Sequence, residues 1–311
     1  MGKKILVTGG AGFIGSHIVD AYVKQGNRVI VVDDLSTGKP ENINPDAKFY
    51  LMDITGREVE KLIQLEKPDI INHQAAQISV PLSTKDPVFD ARVNILGTVN
   101  LLRAAASNKV KRFIFASTGG AIYGDTGGKI VDEKFPENPE SPYATSKLAA
   151  ERYIKLFSKG KFSYAILRYA NVYGPRQIPH GEAGVVAIFS LRLIEGEPIT
   201  IYTYPDMERG MVRDYVFVKD IAKANILATE SEKNFTVNIS TGKGTDTQTL
   251  LEILMKVSGK KSKFNFGPPR PGDIRYSILS PELAGKILGW KAESPLEDGL
   301  KETFNYFLKR K

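Results

Sequence analysis

Residues 8–15 read T-G-G-A-G-F-I-G, and the segments on either side of them decide the fold. Lys4–Thr8 is a short β-branched and aliphatic run of the kind that forms a strand. Beyond the glycines, Ile18, Val19, Tyr22 and Val23 recur at helical spacing until Gly26-Asn27 stops the pattern. A second apolar run, Val29–Val32, ends at Asp33. Strand, glycine turn, helix, strand and acid form the context in which a glycine motif predicts dinucleotide binding. Gly9 permits the tight turn. Gly12 lets a pyrophosphate approach the backbone at a helix N-terminus, where free amides and the helix dipole favour negative charge. Gly15 allows close packing of helix on strand. Asp33, 18 residues past Gly15, stands where an acid grips the adenosine ribose and repels a 2′-phosphate, so NAD is expected over NADP.

Further β runs at Phe49–Met52, Ile70–Asn72, Phe113–Ala116 and Ala165–Leu167 alternate with helical patterns, including a long one from Pro87 to Ser107. The alternation predicts a Rossmann-type α/β fold, a doubly wound parallel sheet with helices on both faces. Ligands bind such sheets at the carboxyl ends of the strands. Here those ends carry Asp53, residues 73–77 (H-Q-A-A-Q), Ser117-Thr118 and residues 168–171. Past Asn171 proline and glycine increase and periodic segments shorten. The expected organisation is therefore a dinucleotide-binding domain over 1–171 and a mostly substrate-binding lobe over 172–311. Helix Val218–Thr229 and strand Thr236–Ile239 are expected to return to the main sheet.

Bulk properties narrow the function. The chain has 311 residues, a net charge of +8 and no cysteine, which excludes disulfides and zinc-thiolate sites. His17, His73 and His180 lack ligand spacing, so no metal is expected. The basic residues are interspersed with acids, and the Lys309-Arg310-Lys311 run suits a helix C-terminus. This predicts an anionic small molecule rather than nucleic acid as partner. No apolar run approaches the roughly 18 residues of a membrane span. The first residues lead straight into a strand, leaving no room for a signal peptide, so cytoplasm is the expected location.

Residues 141–147, S-P-Y-A-T-S-K, raise the catalytic question. Ser141 is a good N-cap and Pro142 suits the first helical position. Tyr143 and Lys147 then lie one turn apart on one helix face. Alone, that spacing is equally an ordinary surface helix.

The motifs together resemble the extended short-chain dehydrogenase/reductase family, and within it the UDP-glucose (UDP-galactose) 4-epimerases. They are T-G-G-A-G-F-I-G, Asp53-Ile54, H-Q-A-A-Q, N-I-L-G-T (94–98), S-T-G-G-A-I-Y-G (117–124), Y-A-T-S-K, R-Y-A-N-V-Y-G-P-R (168–176), R-D-Y-V-F-V (213–218) and R-P-G-D (270–273). The resemblance implies that Tyr143 and Lys147 are catalytic, with help from Ser117 or Thr118. It implies cofactor contacts from Gly9, Gly12, Phe13, Ile14 and Gly15, from Asp33, Asp34, Leu35, Ser36, Thr37 and Gly38, and from Asp53 and Ile54. Gln74, Ala75, Ala76, Gln77, Asn94, Ser117, Tyr143, Lys147 and Tyr169 complete that set. For substrate it implies Thr118, Asn171, Arg213, Arg270, Asp273 and Ser277, the last limiting the size of the sugar. Tyr276 next to it would take that place after a one-residue slip.

Tyrosine has a pKa of about 10 and is a poor base at neutral pH. A lysine ammonium one turn away and a positive nicotinamide ring would both favour its phenolate. Relatives that dehydrate sugars resemble this segment but place Asp-Glu after the threonine, and those that decarboxylate UDP-glucuronate place a glutamate nearby. Here Gly119 and Gly120 can do no acid–base work, which suits oxidation, turning of the keto sugar and return of hydride. Two arginines suit a diphosphate. The resemblance further implies a homodimer built through helices 87–107 and 143–159. A 4-epimerase of N-acetylated or uronic sugars, a 4,6-dehydratase and a non-catalytic NAD-sensing protein remain the other readings.

Overall fold

The computed structural model describes residues 2–179, 184–270 and 272–310. His180, Pro271 and Lys311 of the sequence reading lie outside the described residues. Seven strands form one all-parallel sheet: β1 (Lys4–Thr8), β2 (Arg28–Asp33), β3 (Lys48–Leu51), β4 (Ile70–His73), β5 (Arg112–Thr118), then Ser163–Tyr169 and Phe235–Ile239. These are the seven runs read from the sequence, with ends shifted by a residue or two. Two-residue strand β6 (Ile130–Val131) intervenes in the chain, so Ser163–Tyr169 is β7 and Phe235–Ile239 is β11. The strand order is β11-β7-β5-β4-β1-β2-β3. The chain winds outward from β1 to β3, then returns to β4 on the other side of β1. That reversal opens a crevice between the ends of β1 and β4.

Both faces of the sheet are buried, and strand alternation divides β1 between them. Ile5 and Val7 join a core with Ile18 and Val19 of helix Phe13–Lys24 and Ile221 of helix Val218–Glu230. Leu6 joins the opposite core, with Leu62, Leu101 and Ile154 from helices Glu58–Glu66, Gly97–Ser107 and Pro142–Phe157. Each such side chain contributes roughly 1.5–3 kcal/mol on burial. Apolar residues at consecutive strand positions therefore belong to a doubly covered sheet.

The remaining strands are β8 (Asn171–Tyr173), β9 (Ile199–Tyr202), β10 (Val212–Phe217), β12 (Gly244–Asp246), β13 (Phe264–Gly267) and β14 (Tyr276–Leu279). A second sheet runs β12-β10-β14-β6, with β8 also on β10, while β9 and β13 pair separately. Helices Val185–Glu195, Thr247–Ser258 and Leu296–Leu308 supply a third core, with Phe189, Leu250, Leu254, Leu300 and Phe304. Two features cross the boundary expected at residue 171. Ile130 and Val131, from the first half, pair with β14 in the second sheet. Ala284 and Trp290, near the C-terminus, join the core of the large sheet.

The expected long helix from Pro87 to Ser107 is interrupted by a π-helical turn, Arg92–Leu96. Such turns widen the helix locally and recur at functional sites. This one carries Asn94, which is buried and bonded to the loop after β4.

Candidate active site

Gly9 takes a left-handed φ of +69°, and a Cβ there would meet the Ala75 amide at 2.6 Å. The glycine turn thus touches the loop after β4 across the crevice. A Cβ on Gly15 would lie 2.0 Å from the Gly9 carbonyl oxygen, so helix Phe13–Lys24 sits tightly on the turn. Gly12 is the extended N-cap and offers no side-chain bond, which leaves the amides of Phe13, Ile14 and Gly15 without an intrahelical partner. Asp33 folds the next loop over this turn. Its Oδ2 accepts from the Ala11 amide and its Oδ1 from the Leu35 amide, both at 2.9 Å. Gly38 packs against the same carboxylate, where a Cβ would lie 2.6 Å from Oδ1. Burial raises the Asp33 pKa, with the amide bonds opposing. Leu35 adopts a φ of +58° in the turn, while Asp34, Ser36 and Thr37 are exposed.

A small cavity brings Asp33, Asp34, Ser36, Asp53, Ile54, Ala75 and Ala76 together. A wider open groove of about 560 Å³, lined by His17, Arg176 and Tyr306 among others, contains none of the expected site residues. Gln77 and Asn94 brace each other. Asn94 accepts from the Gln77 amide at 3.0 Å and donates to its carbonyl at 2.9 Å. Both side-chain amides also donate to Asp90, at 2.8 and 3.0 Å. Gln74 and Tyr169 meet through their side chains at 3.3 Å, and Asn225 donates to the Tyr169 hydroxyl at 2.8 Å.

Ser141 caps helix Pro142–Phe157 by accepting from the Ala144 amide at 3.2 Å. This start places Tyr143 beside the end of β5. Burial pushes the Tyr143 pKa up to about 12, opposed by a hydrogen bond with Thr118 and reinforced by the Asp90 charge. Lys147 is only 4% exposed. Burial pulls its pKa down to about 7, against the charges of Glu151 and Asp90. The sequence predicts a lysine that lowers the tyrosine pKa; here burial is the largest influence on Tyr143 and the net direction is upward. The Lys147 ammonium lies 4.3 Å from the centre of the Phe115 ring, and it has no hydrogen-bond or ion-pair partner among the described residues.

Strand alternation sends Ser117 and Thr118 to opposite sides of β5. Thr118 faces Tyr143, whereas Ser117 is buried and donates to Glu151 Oε1 at 2.6 Å. The Ser117 hydroxyl thus takes part in the ion-pair network of Glu151 and Arg168. His73, also buried, is held between the Thr8 and Thr98 hydroxyls at 2.7 and 2.9 Å.

Around Gly120 three of the expected substrate residues converge. The position of a Cβ there lies 3.4 Å from Asn171 Oδ1, 3.9 Å from Thr118 Oγ1 and 4.0 Å from Ser277 Oγ. Asn171 Oδ1 is buried without a hydrogen-bond partner among the described residues. On β14 Ser277 faces this ring, while Tyr276 lies against Gly128. Arg270 and Asp273 grip each other at 3.1 and 3.2 Å, and Arg270 covers the Tyr202 ring at 4.8 Å. Arg213 is buried enough to lower its pKa and feels the charges of Asp273 and Arg270. Two groups escaped the sequence reading. Asp90 is buried with Oδ2 unpaired among the described residues, and Glu151 continues the stripe 143, 147, 151 at one-turn spacing. That spacing was the available signal for Glu151; nothing local marked Asp90.

A crevice at the strand ends, a glycine turn and a tyrosine–threonine–lysine cluster agree with what the chain resembles. Residues 5–240 match the model of the NAD dependent epimerase/dehydratase family. The chain belongs to that family. A crystal structure of the UDP-glucose 4-epimerase of Thermotoga maritima with UDP-glucose is 46% identical, with a TM-score of 0.94 over 98% of this chain and 99% of that one. The UDP-glucose 4-epimerase of Thermus thermophilus, in complex with NAD, is 45% identical, with a TM-score of 0.92 over 97% and 98%. A putative UDP-glucose 4-epimerase of Methanocaldococcus jannaschii is 43% identical over 97% of each chain.

The residues present fit the family's cofactor. Uncapped helix amides and an adjacent glycine turn suit a pyrophosphate. An acid at the end of β2 suits a ribose. The buried Lys147 ammonium has donors to spare for a second ribose.

Proposed function

We propose that this chain is an NAD-dependent 4-epimerase that interconverts UDP-glucose and UDP-galactose through a transient 4-keto sugar. The observation that carries the reading is the cluster of Tyr143, Thr118 and Lys147 at the strand ends, with glycines at 119 and 120 where acid–base residues would stand in a dehydratase. Bound NAD would supply reversible hydride transfer.

Tyr143 takes the proton from the sugar 4-hydroxyl and later returns it. Thr118 hydrogen-bonds the reacting oxygen and holds it against Tyr143. Lys147 holds the nicotinamide ribose and, in its ammonium form, favours the phenolate. Phe13, Ile14 and Gly15 bind the pyrophosphate through their amides, and Asp33 binds the adenosine ribose. Asn94 and Gln77 act by shaping the loop after β4. In the other half, Arg213 and Arg270 pair with the UDP diphosphate, and Asp273 aims the Arg270 fork. The orphaned Asn171 oxygen accepts from the sugar or uridine. Gly120 leaves the room in which a keto sugar can turn.

Ser277 favours a second substrate class. A small residue facing the polar ring around Gly120 leaves space for a 2-acetamido group, so UDP-N-acetylglucosamine enters the same pocket. The chain divides into a cofactor lobe and a substrate lobe near residue 171. Two copies join through helices 87–107 and 142–157, and the protein works in the cytoplasm.

The test is incubation of the purified protein with separate UDP-sugars, with products read by NMR. Interconversion of UDP-glucose and UDP-galactose without accumulation of NADH is expected. Stoichiometric NADH, loss of water from the sugar or no turnover would each overturn the reading.

A further inference from the structure

Lys147 and Glu151 stand four residues apart on helix Pro142–Phe157, the separation at which lysine and glutamate ordinarily pair. In a buried setting that attraction is strong. Yet the two are not paired. Glu151, 0% exposed, is claimed from the sheet below. Arg168 of β7 donates from Nε to Oε1 at 2.9 Å and from Nη2 to Oε2 at 2.7 Å, and Ser117 of β5 donates to Oε1 at 2.6 Å. Arg168 is anchored in turn by Tyr123, whose hydroxyl accepts from Nη1 at 2.9 Å, and by Glu137, which accepts from Nη2 at 2.5 Å.

We propose that the Arg168–Glu151 fork is a positioning device that keeps Glu151 from capturing Lys147, leaving the lysine ammonium turned toward the cofactor ribose. The proposal rests on the reading of Lys147 as a cofactor-facing group. A guanidinium suits the task because it offers two parallel donors and stays charged at every accessible pH. It occupies both carboxylate oxygens, and Ser117 adds a third bond. An unpaired carboxylate in this interior would be costly and would draw a neighbouring cation; Lys147 and Lys155 stand one turn to either side and both feel its charge, and of the two Lys147 is the more deeply buried. Arg168 and Ser117 are therefore positioning residues acting through Glu151.

Three variants, Arg168→Met, Glu151→Gln and the pair together, test the device by NAD affinity measured on cofactor-free protein, with thermal unfolding and UDP-galactose turnover in parallel. Arg168→Met frees Glu151 to take Lys147 and is expected to weaken NAD binding about 10-fold, the scale of coupling between contacting residues. Adding Glu151→Gln removes the captor, so the double variant should bind NAD within about 3-fold of wild type even though its unfolding temperature is lower. A scaffold role alone predicts that the double variant binds no better than Arg168→Met, and that result overturns the proposal. If Arg168→Met does not fold, Glu151→Gln decides. It keeps NAD affinity within about 3-fold if Glu151 is only a potential captor, whereas a 10-fold loss would mean that its charge serves Lys147 directly. Wild type that binds NAD but leaves UDP-galactose unchanged would sink the epimerase reading, and the NAD affinities would still judge the fork.

Discussion

Tyr143 and Lys147 share a helix face, yet burial drives their pKa values in opposite directions, up to about 12 and down to about 7. Both shifts favour the neutral forms, because charging either group in this buried site is costly. For Lys147 that cost has a definite sign with pH. Between about 7 and its ordinary value of 10.5 the unfolded chain binds the proton and the folded chain does not, so stability rises with pH across that window. Below pH 7 both states carry the charge, and the full penalty of burying it remains. Lys147→Met should therefore make cofactor-free protein more stable at pH 6 by roughly 2–4 kcal/mol, with the gain shrinking toward pH 10. Urea unfolding at the two pH values measures it, and a variant no more stable at pH 6 would refute the burial argument. Tyr143→Phe keeps the ring and removes the oxygen. Turnover should fall at least about 100-fold while NAD remains bound. Near-normal turnover would reduce Tyr143 to a helix residue.

Elements translate these residues into a site through their periodicities. The period of two in β5 sends Thr118 toward Tyr143 and Ser117 toward Glu151, and in β14 it separates Ser277 from Tyr276. A tyrosine at 277 would enter the ring of Thr118, Asn171 and Gly120. Ser277→Tyr should abolish epimerization of UDP-N-acetylglucosamine and spare UDP-glucose, because exclusion by clash needs no new attraction. Continued turnover of the acetylated sugar would show that Ser277 does not bound the pocket. The glycine turn offers an equally sharp test. The Cβ of Gly15→Ala would overlap the Gly9 carbonyl, which is backbone and cannot swing aside. The fold should lose about 1–3 kcal/mol, as overpacked sites do, and NAD affinity should fall with it. Unchanged calorimetric affinity for NAD would mean that the turn yields more than its packing suggests.

At the scale of the molecule, the apolar residues left outside matter most. Val88 is 78% exposed, Leu96 57% and Leu156 59%, on neighbouring helical segments. Clustered exposed apolar side chains mark association surfaces. Leu156→Glu would bury a charge in the proposed dimer interface and should yield monomers in sedimentation velocity at concentrations where wild type is dimeric. A wild type that sediments as a monomer would remove the dimer. Among the described residues no helix is long and apolar enough to cross a membrane.

The order of strands and helices in the first half was legible because each parallel strand is a short apolar run and each crossover a periodic helix, both local signals. The glycine turn, Asp33 and the Tyr143–Lys147 spacing were legible for the same reason: their geometry is set within one turn of backbone. The second sheet was not, since its strands are as short as two residues and one of them, β6, comes from the other half of the chain. Nor could local pattern show the π turn under Asn94, which goes with bonds to a loop 17 residues away in sequence. Which face Ser117, Thr118 and Ser277 present depends on register, and register is a property of paired strands. That Glu151 holds Arg168 rather than Lys147 was decided only in tertiary structure, where a guanidinium from another strand reaches the carboxylate with two bonds while the lysine one turn away has no such partner among the described residues.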